Sequence, residues 1–287
     1  MGRRPEFLSL RDAIAKHVVD GVFVAFEGFS HLIPYAAAHE AIRQGRRDLS
    51  LVRMTPDVIY DQMVGMGMVR RMVFSYAGNP GVGLLRRMRD AIEAGWPRPL
   101  EIEEHTHAAL ANAYEAGAAG LPCAIFRGYR GSDLVGRTAT IRFVECPFTG
   151  ERLACVPAIR PDVTVIHANR ADRAGNVLIE GITGVQKEAV LAARTAVVTV
   201  EEVVEDLGAG PNACVLPAWT IAAIAVVPGG AHPSYTHMHY ARDNAAFHEW
   251  DHVSADRGRF LDWMRRNVLD VGPEVFAERA RPLRASR

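Results

Sequence analysis

The sequence has no net charge to offer a polyanion: 33 Lys and Arg residues offset 33 Asp and Glu. No overall field therefore draws in nucleic acid or anionic lipid, and a phosphate-bearing ligand would need a local basic site. Cysteine is scarce. Cys123, Cys146, Cys155 and Cys214 show no C-x-x-C spacing, and a chain of this length builds enough core without disulfides, so reduced, buried thiols are expected. Long apolar runs are missing too. The most apolar stretch, Val215 to Val227, contains Pro217 and is too short to span a bilayer. The opening Met1-Gly2-Arg3-Arg4-Pro5-Glu6 leads into a charged amphipathic segment, not the apolar core of a signal peptide. These absences point to a cytoplasmic protein with no membrane or nucleic-acid partner. The six-residue dinucleotide glycine pattern, the Walker loop and the Gly-x-Ser-x-Gly elbow are likewise absent.

What remains is an α/β rhythm, with short apolar runs alternating with longer amphipathic segments, as in a mostly parallel sheet covered by helices. Ser9 is placed to cap a helix carrying Leu10, Ile14 and Val18 on one face. Val22 to Phe26 follows as an apolar strand of the kind buried on both sides. A glycine turn, a helix over about 34–44 and a strand at Leu49 to Val52 come next, then strands near Met72 to Tyr76 and Leu100 to Glu103. Thr138 to Val144, a turn at Pro147 to Gly150 and Leu153 to Pro157 predict a local β-rich insertion over about 138–157. The rhythm resumes with strands at Val163 to His167, Thr195 to Val200 and Ile221 to Val227. The last stretch predicts a helix with Phe260, Leu261, Met264 and Val268 on one face. With no repeat and no linker in view, residues 1–287 are expected to form one domain.

Three residue sets could carry chemistry. In the turn Glu27-Gly28-Phe29-Ser30-His31, glycine would let backbone N–H groups approach an anion beyond a strand end. In Leu100 to His107, alternation puts Glu101 and Glu103 on one face and Glu104 at the strand exit, a platform for acid/base or nucleophilic work; acidic residues also favour a helix's first turn. His105-x-His107 invites a metal reading, but apart from His167 the later His and Asp ligands it needs do not follow in order. His248-Glu249-Trp250-Asp251-His252 matches the H-E-x-x-H zinc pattern. That pattern requires a continuous helix and a third ligand, and Ser254-Ala255-Asp256 reads as a new helix start almost at once. His232 and the His237-x-His239 pair lack ligand spacing to a common partner. No metal site is expected.

One longer segment is more specific. Asp162 to Asn176 resembles the D-x-x-x-x-H-x-x-x-A-D-x-x-G-N segment of class I coenzyme A transferase A subunits, the glutaconate-type branch in particular. Its companions occur in order: Gly28-Phe29, Glu103-Glu104 leading to Gly120-Leu121-Pro122, Tyr129 to Asp133, Thr199 to Glu202, Pro228 to Pro233, and the Tyr240, Asp243, Phe247 spacing. The resemblance implies a three-layer α/β/α fold of the CoA-transferase type and pairing with a homologous B subunit in an A2B2 assembly. It implies an acyl-CoA:carboxylate CoA-transferase using acyl-CoA, a carboxylic acid and coenzyme A as substrates, with no permanently bound cofactor. A glutamyl intermediate would be carried by the B subunit. On that basis Gly28, Phe29, Ser30 and His31 would bind the acyl group, Tyr76 and Asn79 would line its pocket, and Glu104 and Glu103 would be this chain's catalytic carboxylates. His167, Asp172, Gly175 and Asn176 would be structural, as Asp followed by Gly-Asn is turn chemistry. The same branch holds hydrolases that cleave a ring C–C bond in steroid-derived keto-acyl-CoA. A hydrolase of that kind, acting on a steroid- or aromatic-derived ring, is the alternative reading.

Overall fold

A computed structural model describes residues 4–284; the opening Met1 to Arg3 lies outside the described residues. Among the described residues thirteen strands are formed: β1 (Glu6–Phe7), β2 (Phe23–Glu27), β3 (Leu49–Val52), β4 (Val69–Phe74), β5 (Glu101–Glu104), β6 (Cys123–Phe126), β7 (Arg142–Glu145), β8 (Arg152–Pro157), β9 (Val163–Asp172), β10 (Val177–Ile179), β11 (Thr195–Val204), β12 (Cys214–Leu216) and β13 (Ala223–Val226). Eight of them pair in parallel in the order β1-β13-β11-β9-β2-β3-β4-β5, and β10 and β12 add an antiparallel corner to β9. Helices flank this sheet, the α/β architecture expected from the alternating runs.

Local chemistry sets the ends of these elements. Ser9 Oγ accepts the Asp12 N–H at 3.1 Å and starts the helix Leu10–His17. Strand β2 is buried along Val24 to Glu27, as its unbroken apolar run requires. The helix Tyr35–Arg43 lies on the sheet with Ala36, Ala37, Ala38 and Ala41 fully buried; their small side chains allow close approach. Between Asp172 and Asn176 the chain turns back into β10. Asp172 Oδ1 accepts the Asn176 N–H at 2.8 Å and Gly175 takes φ +93°, so this part of the Asp162–Asn176 segment is indeed turn chemistry.

Several boundaries differ from the sequence reading. The β-rich insertion is a three-stranded antiparallel sheet, β6-β8-β7. It recruits Cys123–Phe126 from well before residue 138. Its edge strand β7 begins only at Arg142, because Thr138 to Thr140 form a turn held by a Thr138 Oγ1 hydrogen bond to the Glu104 carbonyl (2.7 Å). Leu261 is 48% exposed while Phe260, Met264 and Val268 are buried; the buried three recur every four residues, and Leu261, one position on from Phe260, lies to the side of their face. The four cysteines are unpaired and half-buried, not buried.

Candidate active site

The strand order reverses between β2 and β9: the chain winds outward from β2 through β3 to β5, and from β9 through β11 to β13. Ligands of open α/β sheets sit at such a switch point, beyond the carboxyl ends of the strands. The Gly28–His31 turn leaves β2 there. Ser30 and Leu32 take φ +61° and +54°, and a Cβ on Gly28 would lie 2.7 Å from the Leu32 carbonyl oxygen, so the turn needs glycine at its start. Phe29 is half-buried against Gly184, where a Cβ would come within 2.6 Å of the Phe29 Cβ. Ser30 is exposed. His31 points inward, fully buried, stacked on Tyr235 with centroids 4.8 Å apart, its Nε2 against the Ile182 carbonyl. Burial lowers its pKa. Phe29 and Ser30 are thus the members of the turn open to a ligand, whereas His31 shapes it from within.

A buried charge cluster that the sequence reading missed underlies this turn. Arg53 follows β3 and donates from Nη2 to the Gly28 carbonyl at 2.8 Å and to Asp57 at 3.1 Å. Its Nε is 3.9 Å from the Glu27 carboxylate, and both side chains are 1% exposed. Glu27 accepts the Gly28 N–H (3.3 Å) and the Tyr114 hydroxyl (3.2 Å). Burial pushes Glu27 up to about 7, against the opposing pull of Arg53 and these hydrogen bonds. A detectable signal was present: two opposite charges, Glu27 and Arg53, each close an apolar strand run.

Tyr76 and Asn79 follow β4. Tyr76 is 58% exposed, whereas Asn79 is buried and donates from Nδ2 to the Phe247 carbonyl at 2.8 Å. That bond ties the loop to the helix Asn244–Ser254. Asn79 therefore anchors the loop, and Tyr76 is the one available to a ligand.

The glutamates stand apart from the turn. Register places Ala25, Val52, Val73 and Glu103 in one row across β2 to β5, so Glu103 lies three strand spacings, roughly 14 Å, from β2. Glu101 and Glu103 do share a face, both meeting Arg71. Glu103 also accepts from Thr140 at 2.6 Å and from His105 Nε2 at 2.9 Å, while Tyr129 Oη meets His105 Nδ1 at 2.8 Å. Burial alone would raise the Glu103 pKa; hydrogen bonds from His105 and Thr140, then the Arg71 charge, hold it down at about 2. Glu103, His105 and Arg71 border a cavity of about 180 Å³ under the small sheet. Glu104 is exposed at the strand exit.

On the other side of the switch point, His167 is fully buried between Thr199 (2.8 Å) and Glu201 (2.9 Å). Beyond it opens a cavity of about 890 Å³ bordered by Glu201, Glu202, Tyr235, His237 and His239. The H-E-x-x-H residues lie on one short helix, Asn244–Ser254, and Asp256 caps a new helix, Arg257–Met264, as the sequence pattern predicts. Their partners are unlike metal ligands: His252 Nε2 meets Arg259 at 2.8 Å and Glu249 accepts from Trp263 at 3.0 Å. Among the described residues no three His, Cys, Asp or Glu side chains are grouped to hold a metal ion, and no helix is long and apolar enough to cross a membrane.

Parallel sheet, switch point and glycine turn define an α/β protein with a crevice at the carboxyl ends of its central strands. The family model for coenzyme A transferase matches residues 7–226, and the chain belongs to that family, on the A side of the class I enzymes. It is 60% identical over 273 residues (95% of this chain, 96% of the relative) to the A subunit of 3-oxoadipate CoA-transferase from Pseudomonas knackmussii. It is 31% identical over 284 residues to the A subunit of glutaconate CoA-transferase from Acidaminococcus fermentans (92% and 88% of the two chains). The crystal structure of glutaconate coenzyme A-transferase from that organism superposes with a TM-score of 0.91 at 29% identity, covering 98% of this chain and 96% of that one.

Proposed function

We propose that this chain is the A subunit of a 3-oxoadipate CoA-transferase, paired with a homologous B subunit in an A2B2 assembly in the cytoplasm. The observation that carries this reading is the 60% identity to the corresponding chain of a 3-oxoadipate CoA-transferase across 95% of the sequence. Coenzyme A passes between an acyl-CoA and the acid, and no cofactor is retained. In the first step a B-subunit glutamate attacks the thioester carbonyl and the CoA thiolate leaves, giving an acyl-glutamyl anhydride. The thiolate then attacks the glutamyl carbonyl, releases the acyl group as a free acid and leaves a glutamyl-CoA thioester. The acceptor carboxylate reverses both steps and departs as the new acyl-CoA. Each step exchanges one acyl bond for another, so a single difficult transfer is divided into easier ones.

In this reading the Gly28–His31 turn supplies backbone donors to the oxyanion or to the acid's carboxylate. Phe29 and Tyr76 give the acyl chain apolar contact. Of the two glutamates at the end of β5, Glu104 is the one exposed at the strand exit and open to a supporting proton transfer, because Glu103 is already committed to His105, Thr140 and Arg71.

The test uses the co-expressed A and B subunits, an acyl-CoA and 3-oxoadipate. Coenzyme exchange that requires the acceptor acid is expected, with the CoA adduct found by mass spectrometry on a B-subunit glutamate. Turnover without acceptor and with a C–C cleavage product would instead favour the ring-opening hydrolase. Full activity of this chain on its own would overturn the two-subunit reading.

A further inference from the structure

The Gly28 residue is held from both sides by buried charge. Its carbonyl accepts from Arg53 Nη2 at 2.8 Å, and its N–H donates to Glu27 Oε1 at 3.3 Å. Two consequences follow from amide chemistry. The Gly28 N–H is already used, so the donors this turn can offer a ligand begin at Phe29. The Phe29 N–H belongs to the same peptide unit as the Gly28 carbonyl. A charged donor on that carbonyl draws density from nitrogen to oxygen and strengthens the N–H as a donor, because hydrogen bonds in series polarise one another.

The surroundings make this a costly arrangement to keep. Arg53 is 1% exposed and is neutralised by Asp57 at 3.1 Å and by Glu27. Removing such charges from water carries a large desolvation penalty that only their mutual pairing offsets. We infer that Arg53 and Glu27 are positioning residues that set how strongly the Gly28–His31 turn binds an anion, Arg53 through the Gly28 carbonyl and Glu27 through the Gly28 N–H. The inference rests on the turn's place in the acyl site. The groups facing Glu27 are Arg53 after β3, Tyr114 on the helix His107–Ala118, and, next to Arg53, Asp57 and Tyr60 at the helix Val58–Gly65. With Glu27 ionised the Arg53–Asp57–Glu27 cluster carries a net −1 behind the turn; with Glu27 protonated it carries none. Anion binding should therefore weaken as pH rises through about 7, the range to which burial moves this carboxyl.

The experiment compares wild type, Arg53→Lys, Arg53→Met and Glu27→Gln, each as the assembled A–B complex. Affinity for adipate, a six-carbon dicarboxylate without the oxo group, is measured by calorimetry from pH 6 to 8.5, alongside CoA exchange. Arg53→Met is expected to weaken adipate binding and lower kcat by about a hundredfold, the scale of losing an oxyanion donor, and Arg53→Lys to restore part of the loss. In Glu27→Gln the fall in affinity above about pH 7 should vanish. Should Arg53→Met fail to fold, the isosteric Glu27→Gln and the charge-conserving Arg53→Lys still decide. Folded variants with wild-type affinity, kcat and pH profile would overturn the inference, as would a wild type that binds no adipate. A wild type that binds adipate but exchanges no CoA would instead sink the transferase reading alone.

Discussion

His167 Nε2 lies 2.9 Å from Glu201 Oε1, joining neighbouring strands β9 and β11 inside the protein. The other Glu201 oxygen accepts the Gly229 N–H at 2.8 Å, so one carboxylate binds two strands and the loop after β13. Burial would raise the Glu201 pKa, but the hydrogen bond and charge of His167, the Gly229 amide and Tyr240 together outweigh it, and the carboxyl is lowered. Glu201→Ala would leave His167 and the Gly229 amide buried without their partner. A loss of about 3–5 kcal/mol is expected for breaking a buried pair of this kind, read as a fall in the urea midpoint with an unchanged m-value. A change under about 0.5 kcal/mol, the range of an ordinary surface substitution, would remove the structural role given to this pair.

Glu103 makes a pH-dependent contribution whose sign is fixed by its pKa. Its folded value, about 2, lies below the ordinary 4.5. Its stabilisation is therefore complete above about 4.5 and is lost as pH falls toward 2. Glu103→Gln should cost about 2 kcal/mol at neutral pH, the range of hydrogen bonds to a charged group. The gap from wild type should narrow at about pH 3, inside the window between the two values. Urea titrations at the two pH values check this, and a gap that widened in acid would contradict it.

Much of the fold was legible from residue patterning, and the reasons it failed elsewhere are physical. Strand β2 reads directly because Phe23 to Phe26 is an uninterrupted apolar run. The helix Val58–Gly65 went unseen because all eight residues are buried, which erases the polar face that a helical period needs. Its Asp61 is buried yet satisfied by the Met88 N–H and Trp250 Nε1. The candidate site shows the same division. The Gly28–His31 turn is local and visible in sequence, whereas the Glu27–Arg53 pairing joins residues far apart in the chain and exists only because β2 and β3 lie side by side. Burial of His31 and Asn79 was also beyond reach, since each depends on a distant segment, Ile182 with Tyr235 and Phe247.

The glycine that opens the turn should be hard to replace. A Cβ on Gly28 would meet the Leu32 carbonyl oxygen at 2.7 Å and the Ile33 Cα at 2.9 Å, both main-chain atoms that cannot rotate aside. Gly28→Ala must move the turn by some tenths of an ångström. Misplacements near 1 Å cost on the order of a hundredfold in rate, so a fall in kcat of about tenfold or more is expected in an assembled, folded complex. Wild-type kcat in Gly28→Ala would mean that this turn does not face the reacting groups.

The H-E-x-x-H match permits a sharper test than sequence alone allowed. The helix Asn244–Ser254 does carry His248 and His252 on one continuous segment, so the geometry of the helix is not what argues against zinc. The neighbours are. Both imidazoles are exposed, His252 faces the Arg259 guanidinium, and Glu249 is bound to the Trp263 indole. A cation beside a ligand nitrogen opposes a second cation there, and a zinc site needs at least a third protein ligand. The double variant His248→Ala, His252→Ala is therefore expected to exchange CoA at the wild-type rate once assembled with its B partner, with the same metal content as wild type. Stoichiometric zinc in the wild-type complex that disappears with these two histidines, together with the activity, would return the segment to the chemistry its pattern suggests.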